Sequence, residues 1–471
     1  MFEPSNVIEV DMENNASITI KNFKSYKEAT LPLSPLTLLI GANASGKSNA
    51  IEAFRFLSWV AGGERLSTLK NRVNDSDKVV RGSVFDLALN DKNFTLSMEL
   101  NEANYKIDFI VDLDELYILD ECLSLNISNN IQKLYILRDA LLNKEYLKTL
   151  DLESFIYEKF LLTNNEEYNV FITHNNSFIG LSSIKTEYSK DLAFLHTLVE
   201  LHDKIYHNKS FGKDIKESIN NFENNIHEID SKFRLTRFFD FQPSNMRKES
   251  IVSKELNYNG SNVAGVLSHT LDKNSDYKNK LLNFIKHIPE QNIVDIRFCV
   301  DSRRRVEFVL IEKFGRNKRE CPMDLLSDGT LKVLGIAAAL LSVPEGSTVV
   351  IEEIDNSIHP TRAHEILSLL RQYAKERQLN LLLSTHNPAL MDALPDEALA
   401  DVVFCYRDPK QGDSKLVRLG DLDDYLGLVA QGTLGDLVTQ GIVERFVKHP
   451  TTPEQRKKQA LDWLNQLQGA D

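Results

Sequence analysis

The sequence predicts an α/β fold built on a parallel β-sheet. Three short apolar runs, Leu36–Ile40, Thr348–Ile351 and Leu379–Leu383, lie between segments with helical spacing. Continuous apolar strands that alternate with helices are typical of a parallel sheet covered on both faces. The stretch Gly41–Ser48 follows the first run, matches the pattern G-x-x-x-x-G-K-S and precedes a helical segment that begins at Asn49. That strand–loop–helix order is the setting in which the pattern binds phosphates.

The composition is that of an ordinary soluble protein. Of 471 residues, 42% are hydrophobic and 26% are charged, which allows two or three lobes with a sizeable core. No apolar run approaches the roughly 20 residues that span a bilayer, and the first residues do not resemble a secretory signal. Four widely spaced cysteines without a C-x-x-C pair favour a reducing cytoplasm over a zinc site or disulfides. The net charge of −13 leaves nucleic-acid binding to local patches.

The chemistry of the Gly41–Ser48 loop follows from its residue types. A glycine-rich turn lets backbone N–H groups point inward, and the next helix presents its positive N-terminal end. Lys47 would reach the β- and γ-phosphates of a nucleoside triphosphate, and the Ser48 hydroxyl would bind Mg²⁺. The residues predicted to contact ATP are Gly41, Ala42, Asn43, Ala44, Ser45, Gly46, Lys47 and Ser48.

The first predicted segment, residues 1–125, is an ATPase lobe with the loop and an antiparallel meander. Strands are expected at Ala16–Ile20 and Asn22–Tyr26, and the helix after the loop should bury one face. From Val84 to Leu125, short alternating runs separated by Asn- and Asp-rich turns favour antiparallel strands.

The second predicted segment, residues 126–290, is a mainly helical insertion. Helices are expected at Ile131–Leu147 and Leu192–Ile205. One hairpin should interrupt them, turning at Asn175 and Asn176. No heptad pattern persists long enough for a coiled-coil arm.

Two further segments complete the chain. Residues 291–445 form the second ATPase lobe, in which helices alternate with the buried strands. Residues 446–471 contain a last amphipathic helix, expected within Pro450–Gly469.

Glu352 and Glu353 close the buried run that ends at Ile351. One carboxylate at such a strand end can hold Mg²⁺, while the next polarises the water that attacks the γ-phosphate. The alternative is a solvated acidic strand end, which is less expected beside a phosphate loop.

Two weaker signals accompany the acidic pair. Ser327-Asp328-Gly329 stands directly before a helix, where it could cradle an anion or simply cap the helix. His386 ends another buried strand and could contact the γ-phosphate, although a single histidine is often structural.

Taken in order, these four motifs resemble the ABC-type ATPase heads of the SMC, RecF and OLD group. Asn22–Tyr26, with the later Gly-Lys-Ser-Asn, is similar to the opening of an SMC or RecF head. Arg237–Pro243, Asn259–Asn262 and Glu353–Pro360 are similar to compact bacterial members without arms. The resemblance covers nearly the whole chain, loosely in residues 126–290. It implies a P-loop NTPase of ABC/SMC-head type, with a mixed sheet, an antiparallel β subdomain and a mainly helical insertion.

The resemblance also implies roles and a partner. In this family two heads meet head-to-tail, so Ser327 and Gly329 of one copy would contact the γ-phosphate bound by another. Glu353 takes the position of the catalytic base and His386 that of the switch histidine. Glu352 takes the metal-binding position, where aspartate is usual.

A second departure concerns the Q-loop glutamine of the family, which is not visible because no glutamine precedes Gln132. Together with the glutamate at position 352, this predicts slow hydrolysis. ATP would then act more as a structural clamp than as fuel.

Three functions remain open. The first is the ATPase subunit of a prokaryotic antiphage system, resembling the PtuA-like subunit of Septu and retron systems, which gates a separate effector nuclease of HNH type. The second is a DNA-repair ATPase of RecF or SMC type. The third is an OLD-type nuclease with a degenerate Toprim domain, whose only candidate metal ligands are Asp421 and Asp423 in an acidic turn. Choosing the first rests on analogy.

Basic residues form two groups around one predicted hairpin. Arg303, Arg304 and Arg305 make up the first; the second consists of Lys313, Arg316, Lys318 and Arg319. The groups fit either solvated turns or contacts with a DNA backbone.

Overall fold

A computed structural model describes residues 16–69, 79–90, 92–112, 115–127, 130–138, 167–174, 177–185, 225, 227–273, 275–286, 292–354 and 362–448. In chain order the strands are β1 (Ala16–Phe23), β2 (Tyr26–Leu33), β3 (Thr37–Ile40), β4 (Asn93–Leu100), β5 (Ala103–Asp112), β6 (Glu115–Ile127), β7 (Asn130–Arg138), β8 (Glu167–His174), β9 (Ser177–Lys185), β10 (Arg237–Phe239), β11 (Ser250–Ile251), β12 (Ile293–Val300), β13 (Arg305–Phe314), β14 (Asn317–Pro322), β15 (Thr348–Ile351), β16 (Asn380–Ser384), β17 (Val403–Arg407) and β18 (Ser414–Arg418). The α-helices are α1 (Lys47–Ala61), α2 (Pro243–Met246), α3 (Val263–Lys273), α4 (Ser275–Ile285), α5 (Asp328–Ser342), α6 (Ala363–Glu376), α7 (Pro388–Asp392), α8 (Tyr425–Val429), α9 (Leu434–Thr439) and α10 (Ile442–Lys448).

The central sheet has the strand order β10-β15-β16-β3-β17-β18. Its first five strands run parallel, and β18 returns antiparallel to β17. Alternate residues face two different cores: Leu39 and Leu382 pack into one, and Leu38 and Leu383 into the other. The strands are therefore buried on both faces, which explains their continuous apolar runs and confirms the predicted α/β fold.

The second sheet is antiparallel throughout, in the order β2-β1-β4-β5-β6-β7-β8-β9. Helix α1 lies between it and the central sheet. Phe56 packs 5.3 Å from Phe109 on one side, and Phe54 packs 5.4 Å from Phe238 on the other, measured between ring centroids. The sequence predicted one buried face for α1. In the structure, α1 is buried on two sides, because a sheet covers each of them.

The predicted helix at Ile131–Leu147 is wrong over residues 131–138, which belong to β7 (Asn130–Arg138). This strand pairs with β6, so the antiparallel sheet continues beyond the predicted boundary at residue 125. The edge of β6 offers backbone hydrogen-bond partners to residues 130–138, a segment rich in Ile, Leu and Tyr. Pairing with β6 therefore outweighs the helical spacing of the apolar residues in this segment.

The predicted hairpin around Asn175 is confirmed, since His174 pairs with Ser177 at the start of the β8–β9 ladder. The helices predicted at Leu192–Ile205 and within Pro450–Gly469 lie outside the described residues. The division into four segments stays a prediction.

The third sheet packs β11, β12 and β14 around β13. Its inner side shares a core with α3, α4 and α5 and with one face of the central sheet. Among the described residues, no helix has the length and apolar character needed to cross a membrane.

Candidate nucleotide site

Four parallel strands of the central sheet end at the same edge. Backbone hydrogen bonds continue there beyond the strands: Glu352 N–H donates to Phe239 O (3.1 Å), and Thr385 N–H donates to Leu39 O (3.1 Å). Ligands of open α/β sheets bind at the carboxyl ends of the strands. In spatial order, this edge carries Asp240 after β10, Glu352 and Glu353 after β15, His386 beyond β16, and Gly41–Ser48 after β3.

The phosphate loop turns at three residues with positive φ, which are Gly41 (145°), Ala44 (62°) and Gly46 (120°). Close neighbours add a second reason for the glycines. A Cβ on Gly41 would lie 2.2 Å from the carbonyl oxygen of Cys405, and one on Gly46 would lie 2.4 Å from Ser414 Oγ. Both positions therefore accept only glycine without a shift of the neighbouring hairpin.

Lys47 opens α1 and folds back over the loop. Its Nζ donates to the carbonyl oxygens of Gly41 (2.6 Å) and Ala42 (3.1 Å). The ammonium charge and the half-buried Ser48 hydroxyl thus lie at the junction of loop and helix. These groups suit a phosphate chain with a hard divalent cation.

Glu352 is held by Arg55, a residue that sequence analysis did not single out. Arg55 Nη2 lies 2.5 Å from Glu352 Oε1, and the two side chains are only 15% and 22% exposed. The guanidinium also stacks 5.1 Å from the ring centroid of Phe238 and 5.3 Å from that of Tyr258. Burial raises the pKa of the Glu352 carboxyl, and the charge of Arg55 opposes that rise. The glutamate side chain thereby links the acidic strand end to the helix of the phosphate loop.

Glu353 and His386 lie on the open side of the same edge, where both are exposed. Glu353 adopts φ 50°, a left-handed conformation that is uncommon for a glutamate. Its N–H donates to Ser384 Oγ at 3.0 Å, which fixes the turn against the end of β16. The backbone beyond His386 is fixed in turn, because Asn387 caps α7 through Ala389 N–H (3.0 Å).

The Ser327 turn belongs to another part of the topology, between the third sheet and α5. Ser327 caps α5, because its Oγ accepts a hydrogen bond from Thr330 N–H at 3.1 Å. Helix capping was one of the two alternatives predicted for this turn. Arg247 braces this turn by donating to Leu326 O (2.9 Å) and Asp328 Oδ1 (2.5 Å). Ser327 itself remains exposed at the positive end of a 15-residue helix.

Gln242 is part of the segment Arg237–Pro243, but sequence analysis gave it no role. It lies just beyond β10, the strand that pairs in parallel with β15, and its exposed amide accepts from Asn245 Nδ2 at 3.0 Å. A glutamine therefore follows the strand that neighbours β15, although none precedes Gln132. The aromatic pair Phe238 and Phe239 before it was the available signal. The long segment between the phosphate loop and this pair separates the glutamine from the loop in sequence.

The acidic turn proposed for an OLD-type nuclease contains Asp421, which is 65% exposed and lies 3.2 Å from Arg418. Within the described ranges, no group of three or more His, Cys, Asp or Glu residues could hold a metal ion.

The two basic groups lie at opposite ends of β13 and do not form one patch. Arg305 begins that strand and pairs with Asp301 (2.8 Å), while Lys313 stands near its far end. Ten residues of strand separate the ends by about 30 Å. The exposed side chains fit solvated turns.

A phosphate loop between a parallel strand and a helix, with an acidic strand end beside it, defines a P-loop ATPase. The chain belongs to the family described as "AAA domain, putative AbiEii toxin, Type IV TA system", whose sequence profile matches residues 36–392. Together with the relatives below, this confirms the resemblance to ATPases of the SMC/RecF-type ABC class.

Several curated proteins, among them the three that follow, match parts of the chain. The methionine import ATP-binding protein MetN 2 of Shouchella clausii is 29% identical over 140 residues, which are 29% of this chain and 38% of that protein. The chromosome partition protein Smc of Halothermothrix orenii is 34% identical over 93 residues (19% and 8%). The DNA replication and repair protein RecF of Chlamydia abortus is 50% identical over 46 residues (10% and 12%). The chain thus spans well under half of each relative.

Solved SMC heads align along most of the chain at low similarity. The SMC head bound to the C-winged helix domain of ScpA has a TM-score of 0.39 and 12% identity, with coverage of 86% of this chain and 97% of that one. The Pyrococcus furiosus Smc head with an extended coiled coil has a TM-score of 0.39 and 14% identity, with coverage of 88% and 99%. At these TM-scores, the fold assignment rests on the topology described above.

Proposed function

We propose that the chain binds Mg²⁺-ATP at this edge of the central sheet and hydrolyses it slowly. The observation that supports this most strongly is the parallel order of β15, β16 and β3, which gathers Glu352, Glu353, His386 and the phosphate loop. Ser48 and Glu352 offer the hydroxyl and carboxylate oxygens that Mg²⁺ prefers, and Mg²⁺ would neutralise charge on the phosphates. Glu353 would orient and deprotonate the attacking water, and His386 would contact the γ-phosphate.

Slow hydrolysis is supported by the ion pair of Glu352. Its carboxylate already lies 2.5 Å from the Arg55 guanidinium, so binding a metal must compete with that charge. Gln242 is a candidate for a further contact with the phosphate edge.

We further infer that two copies complete the site head-to-tail. Ser327 and Gly329 of one copy would face the γ-phosphate held by the other, at the positive N-terminal end of α5. The turn offers a free surface for this contact, since Ser327 is exposed and Leu325 beside it is 67% exposed.

Association in solution tests the composite site. Glu353→Gln should keep ATP bound and promote ATP-dependent dimers, which light scattering detects. Adding Ser327→Arg should abolish those dimers while ATP still binds, because the new side chain blocks the turn. Ser302→Arg, at an exposed turn of the third sheet, is the control. Unchanged association in the Ser327→Arg variant contradicts the head-to-tail arrangement.

We also infer the setting, a prokaryotic antiphage complex in the reducing cytoplasm. The chain would gate a separate effector nuclease of HNH type until infection changes the nucleotide or DNA state. Support comes from the sequence resemblance, from a family description that refers to a toxin–antitoxin system, and from the wide spacing of the four cysteines in the sequence. An ATPase that turns over slowly suits such gating.

A further inference from the structure

The hairpin formed by β17 and β18 lies directly beside the phosphate loop. β17 pairs in parallel with β3, with Val403 opposite Leu39 and Phe404 opposite Ile40. The chain that leaves β17 therefore runs along the loop that leaves β3. This hairpin follows His386 and contains none of the predicted motifs.

Three consecutive carbonyl groups of the loop accept hydrogen bonds from side chains elsewhere. Arg407 Nε donates to the oxygen of Ala44 (3.3 Å), Ser414 Oγ to that of Ser45 (2.6 Å), and Tyr26 Oη to that of Gly46 (3.0 Å). In a planar trans peptide, the next residue's N–H points opposite to the carbonyl. Drawing the oxygens of Ser45 and Gly46 outward therefore turns the N–H groups of Gly46 and Lys47 toward the inside of the loop, where an anion would bind. The N–H of Ser45, which follows Ala44 O, instead closes the turn by donating to Ala42 O at 3.2 Å.

Ser414 is the donor whose geometry is most restricted. Its hydroxyl donates at 2.6 Å to the Ser45 oxygen, an atom that can only accept. The same hydroxyl also points toward Ser25 Oγ, a second acceptor at 2.8 Å. Ser25 Oγ accepts in turn from Asn49 Nδ2 (2.8 Å), whose Oδ1 accepts from Arg81 Nη2 (3.2 Å). These contacts form a continuous network from Ser414 to Arg81.

The chain of hydrogen bonds ends on a buried charge. Arg81 Nη2 lies 3.2 Å from Glu52 Oε2, and the Glu52 side chain is 3% exposed. Lys24 contacts the same carboxylate at 2.7 Å. Since Glu52 and Asn49 lie on α1, the network ties the loop to the first turns of its own helix by way of the hairpin.

We propose that Ser414 is a positioning residue of the nucleotide site, and that the β17–β18 hairpin sets the shape of the phosphate loop. This inference rests on the proposed nucleotide site. Ser414 has no exposed surface and acts through the backbone of Ser45 and Gly46. A nucleotide site of this chain therefore extends to residue 414, beyond the last predicted motif.

The test compares two buried serines in the full-length chain. Ser414→Ala removes the donor to Ser45 O and should weaken Mg²⁺-ATP binding about tenfold in calorimetry, as expected for one lost hydrogen bond. Ser347→Ala is the matched control. Ser347 is equally buried and donates to Pro344 O at the same 2.6 Å, but it precedes β15 at the opposite edge of the sheet. Both variants should unfold at similarly lowered temperatures, and only Ser414→Ala should bind ATP more weakly.

A second variant covers the case in which Ser414→Ala folds poorly. Arg407→Gln lies on the exposed side of the hairpin and removes the donor to Ala44 O, so ATP binding should weaken about threefold. Unchanged ATP affinity in both hairpin variants, or an equal loss in Ser347→Ala, overturns the inference. A wild-type chain that does not bind ATP at all contradicts the proposed function itself and removes the basis of the inference.

Discussion

Lys47 is the side chain on which nucleotide binding should depend most. Its Nζ already lies over the loop, donating to Gly41 and Ala42, and a bound triphosphate would replace those carbonyl contacts by charged ones. Charge-assisted hydrogen bonds contribute about 1.5–3 kcal/mol each, so Lys47→Ala should weaken ATP binding at least about 100-fold. Calorimetry on the purified chain measures this. Lys27→Ala, at an exposed position of β2, is the control, and wild-type affinity in the Lys47→Ala variant rules out the phosphate-loop assignment.

The residues that sequence reasoning found are those whose setting is local. The Gly41–Ser48 pattern carries its strand and helix on either side, so its position can be read without a fold. Arg55 and Ser414 act through partners far away in the chain: Arg55 is 297 residues from Glu352, and Ser414 is 369 residues from Ser45. Nothing in the sequence around either residue indicates such a partner, because the sheet order alone creates the contact.

At the scale of elements, buried strands and capped helices were predictable, whereas the edge of the antiparallel sheet was not. β15 and β16 appear as apolar runs because both of their faces are covered. β7 forms a strand because it pairs with its neighbours β6 and β8. The spacing of apolar residues along one segment does not reveal such pairing.

One buried lysine ties the helical stretch 227–234 to the amino-terminal edge of the central sheet. Lys232 is 6% exposed, and its Nζ donates to Gly346 O (3.0 Å) and to Asn380 Oδ1. Burial lowers the pKa of Lys232 from 10.5 to about 8. Between these values the unfolded chain holds a proton that the folded chain has released, so this contribution to stability grows as the pH rises.

Replacing this lysine should therefore change the pH dependence of stability. Between about pH 7.5 and pH 10, the free energy of unfolding of the wild type should rise by about 2 kcal/mol relative to that of Lys232→Met. Urea denaturation at the two pH values measures the difference, and Lys27→Met is the control for an exposed lysine. If the difference in unfolding free energy between wild type and Lys232→Met is the same at both pH values, the lowered pKa of Lys232 is contradicted.

At the scale of the whole molecule, α1 connects the parts that nucleotide would have to coordinate. It begins at the phosphate loop, carries Glu52 toward the hairpin network and Arg55 toward Glu352, and packs between two sheets. A shift of the loop on binding ATP would therefore displace the acidic strand end and the antiparallel sheet together, because close-packed elements transmit displacement.

The last prediction is that this chain does not itself cut nucleic acid. Glu352, Glu353 and His386 all lie at the proposed nucleotide edge, and the carboxylate of Asp421 is paired with Arg418 at 3.2 Å. A nuclease needs several metal ligands in one place, and a lone exposed pair of this kind does not supply them. The purified chain should leave single- and double-stranded DNA intact in the presence of Mg²⁺ or Mn²⁺, and cleavage should require the proposed effector. Robust cleavage that disappears in Asp421→Ala, but persists in the control Asp436→Ala at an exposed site of α9, contradicts this and restores the OLD-type nuclease.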